Sequence, residues 1–132
     1  MNYLLDTHYL LCAIADTGKL SKKMRDIITD PENRIIVSSV SFWEISLKYA
    51  LGKLTLKGFT PDVLPQACTE MGFEIETLSP FDSSRYHLLT TQYHKDPFDK
   101  MLIWQAISNG YTLISSDKQM GQYRSEGLKL LA

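Results

Sequence analysis

Arg34-Ile35-Ile36-Val37, followed at once by Ser38-Ser39-Val40-Ser41, is the stretch on which the fold turns. A β-branched run without polar alternation reads as a strand buried on both faces. The serines after it offer several N-cap candidates for a helix running to Leu51, with Gly52 as its C′ residue. The same succession recurs on either side. Tyr3-Leu4-Leu5 is a short apolar run, and His8 to Ile14 follows as a buried helix that stops near Gly18. Leu20-Ser21 opens a second helix, with Met24, Ile27 and Ile28 on one face and Lys22, Lys23 and Arg25 on the other, before Asp30-Pro31-Glu32-Asn33 breaks it.

Further along, Lys53 to Phe59 is a connector and Pro61 begins a helix ending near Gly72. Phe73 to Thr77 is a weaker strand whose alternating Glu74 and Glu76 suit a sheet edge. Pro80 to Thr91 is expected to be helical. Asp96-Pro97 supplies an N-cap and a proline at N1 for a helix stopping at Asn109-Gly110. Tyr111 to Ser115 is a strand, Asp117 opens a short helix, and Leu128 to Leu131 closes as a terminal strand. Strands alternating with helices predict an α/β chain, a three-layer α/β/α sandwich around a central, mostly parallel sheet.

Composition narrows the rest. The 132 residues make one domain, 1–132, large enough for a core without disulfides. A net charge of -1 provides no global field for nucleic acid, so any such binding needs a local patch. Cys12 and Cys68, each within an apolar-periodic stretch, read as buried free thiols in a reducing compartment. The N-terminus meets Asp6 before an h-region develops and no apolar run approaches membrane-spanning length, so the expected location is the cytoplasm.

Four acids stand where chemistry is expected: Asp6, Glu44, Asp99 and Asp117. Each also has an ordinary helix-terminal explanation. Asp6 caps the first helix, Ser41-Phe42-Trp43-Glu44 forms a capping-box pattern, Asp99 complements a helix dipole, and Asp117 is another cap. Asp6 and Asp117 directly follow strands, and Glu44 lies in the helix after the second strand. Those three belong near one carboxyl edge of the sheet, where open α/β sheets bind ligands. Spacing alone does not place Asp99, because polar loop precedes it. Gathered carboxylates repel one another and take up protons unless a hard divalent cation keeps them ionised.

The ordered set Leu4-Leu5-Asp6-Thr7-His8, Ser41-Phe42-Trp43-Glu44-Ile45, Gly52-Lys53-Leu54, His94-Lys95-Asp96-Pro97-Phe98-Asp99-Lys100-Met101-Leu102-Ile103 and Leu113-Ile114-Ser115-Ser116-Asp117 resembles PIN-domain ribonucleases. The sequence looks close to the toxin components of VapBC-type toxin–antitoxin pairs, and the resemblance covers nearly the whole chain. It implies that Asp6, Glu44, Asp99 and Asp117 hold Mg²⁺ or Mn²⁺. Asp6 and Asp99 would be direct ligands, and Glu44 and Asp117 direct or water-mediated ones. It further implies a metal-dependent endoribonuclease toxin acting on a translation-related RNA, a cognate antitoxin that obstructs the site, and a homodimer. Lys100 departs from the arginine common after D-P-F-D, keeping the charge but losing a bidentate phosphate fork. Trp104 stands where relatives usually carry a small residue.

Other polar residues support or compete with this reading. Thr7 is a candidate to bond a metal ligand or phosphate, Ser115 or Ser116 to orient Asp117, and Asp96 to cap its helix. Lys48, four residues after Glu44, forms either an i,i+4 pair or a substrate contact. Lys19, Lys22, Lys23, Lys53 and Lys57 form either a basic rim or a solvated face. His8, His87 and His94 lack metal-ligand spacing. Two other classes remain as alternatives. One is a non-catalytic PIN-like module that binds RNA or protein. The other is a phospho-acceptor receiver or haloacid-dehalogenase-like phosphatase, disfavoured because His8 stands where the phosphatase signature requires a second aspartate and because a receiver's paired N-terminal acids are missing.

Overall fold

The computed structural model describes residues 1–90 and 96–131. Five strands, β1 (Asn2–Leu5), β2 (Arg34–Ser38), β3 (Glu74–Glu76), β4 (Thr112–Ile114) and β5 (Lys129–Leu131), form one sheet in the order β3-β2-β1-β4-β5. The described pairings are all parallel, so the expectation of a mostly parallel sheet is met without an antiparallel edge. Leu4 lies between Ile36 and Leu113 in register, which makes β1 the centre of the sheet.

Alternation along the central strands sends side chains into two cores. Tyr3, Leu5, Ile35 and Val37 face one, shared with buried residues of α1 (Thr7–Ala15), α2 (Lys22–Thr29) and α4 (Leu64–Glu70). Leu4, Ile36 and Leu113 face the other, against α6 (Pro97–Asn109) and a 3-10 stretch, Lys118–Glu126. α3 (Ser39–Ala50) contributes Ile45 to the first core and Val40 to the second, bridging the two layers at the sheet's carboxyl end. Residues such as Leu10 and Leu102 are completely buried, each worth roughly 1.5–3 kcal/mol of apolar burial. Three layers with one core on each side of the sheet are the expected sandwich.

Local chemistry sets the helix ends. Ser38 caps α3 by accepting from the Val40 N–H, so the cap is the first of the candidate serines. Ser21 caps α2, and Asp96 caps α6 ahead of Pro97. Gly110 ends α6 at φ 72°, a left-handed conformation that favours glycine. Three expected helices are shorter or tighter. The segment from Pro61 begins as a 3-10 turn, Pro61–Val63, before α4, because Pro65 lacks a donor and sits one residue inside the α-helix. The segment from Pro80 is α5 (Pro80–Arg85) and then a 3-10 turn, Tyr86–Leu88; its expected end at Thr91 lies outside the described residues. After Asp117 the chain is 3-10 helical throughout its nine residues.

The sheet order places a topological switch between β1 and β4, since the chain leaves β1 toward β2 and β3 and later fills the opposite side. Loops after those two strands diverge and leave a crevice at their carboxyl ends. The Asp6 N–H closes the base of that crevice by donating to the Ile114 carbonyl at 3.1 Å.

Candidate active site

The crevice is a cleft of about 380 Å³ lined by Asp6, Glu44, Asp96, Asp99 and Asp117, together with Thr7, Lys48 and Ser116. Every acid read from the sequence as a candidate therefore reaches one cleft, including Asp99, which spacing alone did not place. Asp6 and Glu44 are buried, whereas Asp96, Asp99 and Asp117 are half-buried on the rim and Ser116 is exposed.

Capping and cleft membership coincide for three of them. Asp6 caps α1, with Oδ1 accepting from the Tyr9 N–H at 2.8 Å. Asp96 Oδ1 accepts from the N–H groups of Phe98 at 2.8 Å and Asp99 at 3.3 Å, which turns the first helical residues of α6 toward the cleft. Asp117 caps the 3-10 stretch through the Gln119 N–H at 3.0 Å, and its own N–H donates to Ser115 Oγ at 3.1 Å. The capping-box explanation for Glu44 does not hold, because Ser38 caps α3 and Glu44 lies well inside the helix.

Glu44 has its own wiring. The Thr7 hydroxyl donates to Glu44 Oε1 at 2.7 Å and is also hydrogen-bonded to Ser41 Oγ at 3.0 Å. Lys48 donates from Nζ to the other oxygen, Oε2, so the i,i+4 pair expected from spacing is present. Lys48 is the one lysine or arginine among the described residues lining this cleft. Its ammonium is held above the ordinary lysine range, first by that hydrogen bond and further by the negative field of Asp96 and Asp99.

Burial pushes the Asp6 carboxyl above the ordinary aspartate range. The Tyr9 N–H, a Ser115 hydrogen bond and His8 act the other way, while the Glu44 charge raises it further. Ser115, buried, thus serves two acids, Asp6 and the backbone of Asp117. Ser41 is the functional neighbour that sequence reasoning took only for a cap; its signal was the i,i+3 spacing to Glu44, which puts both on one helix face.

The donor chemistry fits a hard divalent cation. The acidic side chains of the cleft are oxygen donors, no thiol lines it among the described residues, and burial of Asp6 disfavours its ionised form. As placed, no group of three or more acid, histidine or cysteine side chains among the described residues is close enough together to hold an ion. His8 lines the cleft but lies 3.7 Å from Cys12 Sγ and edge-on to Tyr9, in keeping with a structural role. His87 bonds the Ser84 carbonyl away from the cleft, and His94 lies outside the described residues. Of the proposed basic rim, Lys19 and Lys57 line a neighbouring groove, whereas Lys22, Lys23 and Lys53 are exposed and line neither. Trp104 is buried, its indole N–H donating to the Asp82 carbonyl at 2.9 Å, so its bulk is absorbed by packing.

Among solved structures, the fold is similar to VapBC2 from Rickettsia felis bound to a DNA fragment from its promoter. That match has 20% identity, a TM-score of 0.70, and covers 99% of this chain and 98% of the other. DNA-bound VapBC from Salmonella typhimurium matches at 14% identity and TM-score 0.68, covering 99% and 97%. VapBC-1 from nontypeable Haemophilus influenzae matches at 18% identity and 0.64, covering 99% and 97%. No curated protein sequence matches. The PIN domain profile matches residues 3–126, and with the five-stranded parallel sheet and its carboxylate-lined switch point, the chain belongs to the PIN domain family.

Proposed function

We propose that this protein is a metal-dependent endoribonuclease of the VapC toxin type. The observation that carries the reading is the convergence of Asp6, Glu44, Asp99 and Asp117, from four separate parts of the chain, on one cleft at the sheet's switch point. A metal-independent route is poorly supplied, since the His8 ring that lines the cleft meets the buried Cys12 thiol, and burial raises that thiol's pKa and so disfavours the nucleophilic thiolate.

Asp6 and Asp99 would hold Mg²⁺ or Mn²⁺, with Glu44 and Asp117 completing the set directly or through water. When bound, that ion supplies an acidified water and neutralises charge on the phosphoryl oxygens. The chain's own part is to hold these groups still. Tyr9, Thr7 and Ser115 fix the orientation of Asp6 and Glu44, and Asp96 pins the α6 terminus that carries Asp99. Ser115, accepting from the Asp117 N–H, takes the orienting role considered for either serine, and Ser116 lines the exposed rim beside it. The substrate is RNA, a translation-related one by family resemblance. The similar VapBC complexes support a cognate antitoxin as partner, and a homodimer completes the proposal.

Purified protein should cleave single-stranded RNA with Mg²⁺ or Mn²⁺, and EDTA should abolish the cleavage. Asp6→Asn and Asp99→Asn should each slow it by about a hundredfold or more, about 2.7 kcal/mol of transition-state stabilisation. Full activity in either variant would overturn the assignment. The second reading, a non-catalytic module binding RNA or protein, draws on the Lys48–Glu44 pair, which already neutralises part of the cleft. A calorimetric titration with no divalent-ion uptake would favour it.

A further inference from the structure

We propose that Lys48 is a tethered counter-ion that occupies Glu44 in the metal-free chain and must be exchanged for the divalent ion when the site loads. The inference rests on the metal-site reading above and concerns how that site is held ready.

Both Glu44 oxygens are already engaged, Oε1 by Thr7 and Oε2 by the Lys48 ammonium. The carboxylate is buried and its side chain is only 7% exposed, while that of Lys48 is 40% exposed. Glu44 is therefore fixed in the wall of the cleft, and the lysine reaches it from the solvent side. Lys48 lies one helical turn beyond Glu44 on α3, so the backbone keeps the ammonium at the cleft when the bond breaks. Asp96 and Asp99 add to the negative field at the same ammonium. One positive charge thus faces two acids of the proposed metal set, Glu44 and Asp99, and the capping Asp96 beside them.

An ion bound at Glu44 Oε2 and an ammonium bonded to that oxygen would stand within a few ångströms of each other. Two like charges that close repel each other more strongly near a protein surface than in bulk water, and a divalent ion doubles the repulsion. With Glu44 as a direct ligand, an ion on Oε2 repels the ammonium bonded to that oxygen, and the lysine gives way toward solvent as the ion enters. Lys48 then sets the concentration of metal at which the site fills. The metal-free chain, in turn, avoids an unneutralised acidic cluster.

The test is isothermal titration of the full-length protein with Mn²⁺ alone, for wild type, Lys48→Met and Lys48→Arg. Loss of the competing charge in Lys48→Met should tighten Mn²⁺ binding by about tenfold. Lys48→Arg keeps the charge and should stay within about threefold of wild type. Thermal unfolding in EDTA should show Lys48→Met less stable than wild type, and saturating Mn²⁺ should remove that difference, which a purely structural lysine would not do. If Lys48→Met binds Mn²⁺ as wild type does, or more weakly, the exchange is wrong while the metal site stands. If neither protein takes up Mn²⁺, the metal-site reading fails and this inference with it. Uptake by Lys48→Met alone would be the strongest support. Lys48→Gln, closer in polarity, gives the same comparison should the methionine variant not fold.

Discussion

At the scale of single residues, the site combines stabilising contacts with an electrostatic cost. Asp6 is a good helix cap and a poor buried anion. Burial lifts its pKa above the ordinary value, so its contribution to folding is most favourable when protonated. The sign follows directly: that contribution is complete below the unfolded-state pKa, about 4, and is lost as pH rises through the higher folded value. At neutral pH without metal, the ionised side chain costs stability. Asp6→Asn keeps a capping oxygen and removes the charge. Thermal denaturation at pH 7 in EDTA should show the variant melting higher than wild type, with the gain fading toward about pH 4. The same variant is the one expected to lose cleavage, so activity and stability should move in opposite directions.

At the scale of elements, one buried acid outside the cleft holds two helices together. Asp82 of α5 accepts from Ser108 Oγ at 2.7 Å and Asn109 Nδ2 at 3.1 Å, both in the last turn of α6. The Trp104 indole, one turn earlier, bonds the Asp82 carbonyl. α5 is only six residues long and would not persist alone, so this network and packing at Leu89 keep it docked. Asp82→Ala should lower stability by about 1 kcal/mol in urea unfolding, because it removes the buried carboxylate that ties half-buried Ser108 and exposed Asn109 to α5. RNA cleavage below the melting temperature should be little changed, because no atom of Asp82 lines the cleft.

At the scale of the whole molecule, the fold brings acids from separate segments to one cleft. β1 and β4 end side by side, α3 crosses the same edge, and α6 starts there. Mn²⁺ should therefore stabilise the complete fold by mass action, about 2.7 kcal/mol at a hundred times its Kd. Differential scanning calorimetry checks this: the melting point should climb with Mn²⁺ concentration and return on adding EDTA. An unchanged melting point would count against a cation site of any composition. Among the described residues, no helix is long and apolar enough to cross a membrane.

What could be read from the chain was whatever a few neighbouring residues decide. The Ile35-Ile36-Val37 strand, the caps at Ser21, Asp96 and Asp117, and the Lys48–Glu44 pair are local, because hydrogen-bond and side-chain periods repeat within a turn or two. The convergence of Asp6, Glu44 and Asp117 followed one step later, from the rule that parallel strands share a carboxyl edge. Asp99 needed the D-P-F-D resemblance, since the loop before it carries no period. Only the tertiary structure decided the contacts between distant segments: Thr7 with Glu44, Ser115 with Asp6, and Asp82 with the end of α6. Those depend on how layers pack, and packing sums many weak contacts that no short window contains. It also decided that Lys48, whose spacing gives a plain helical pair with Glu44, faces Asp96 and Asp99 across the cleft as well.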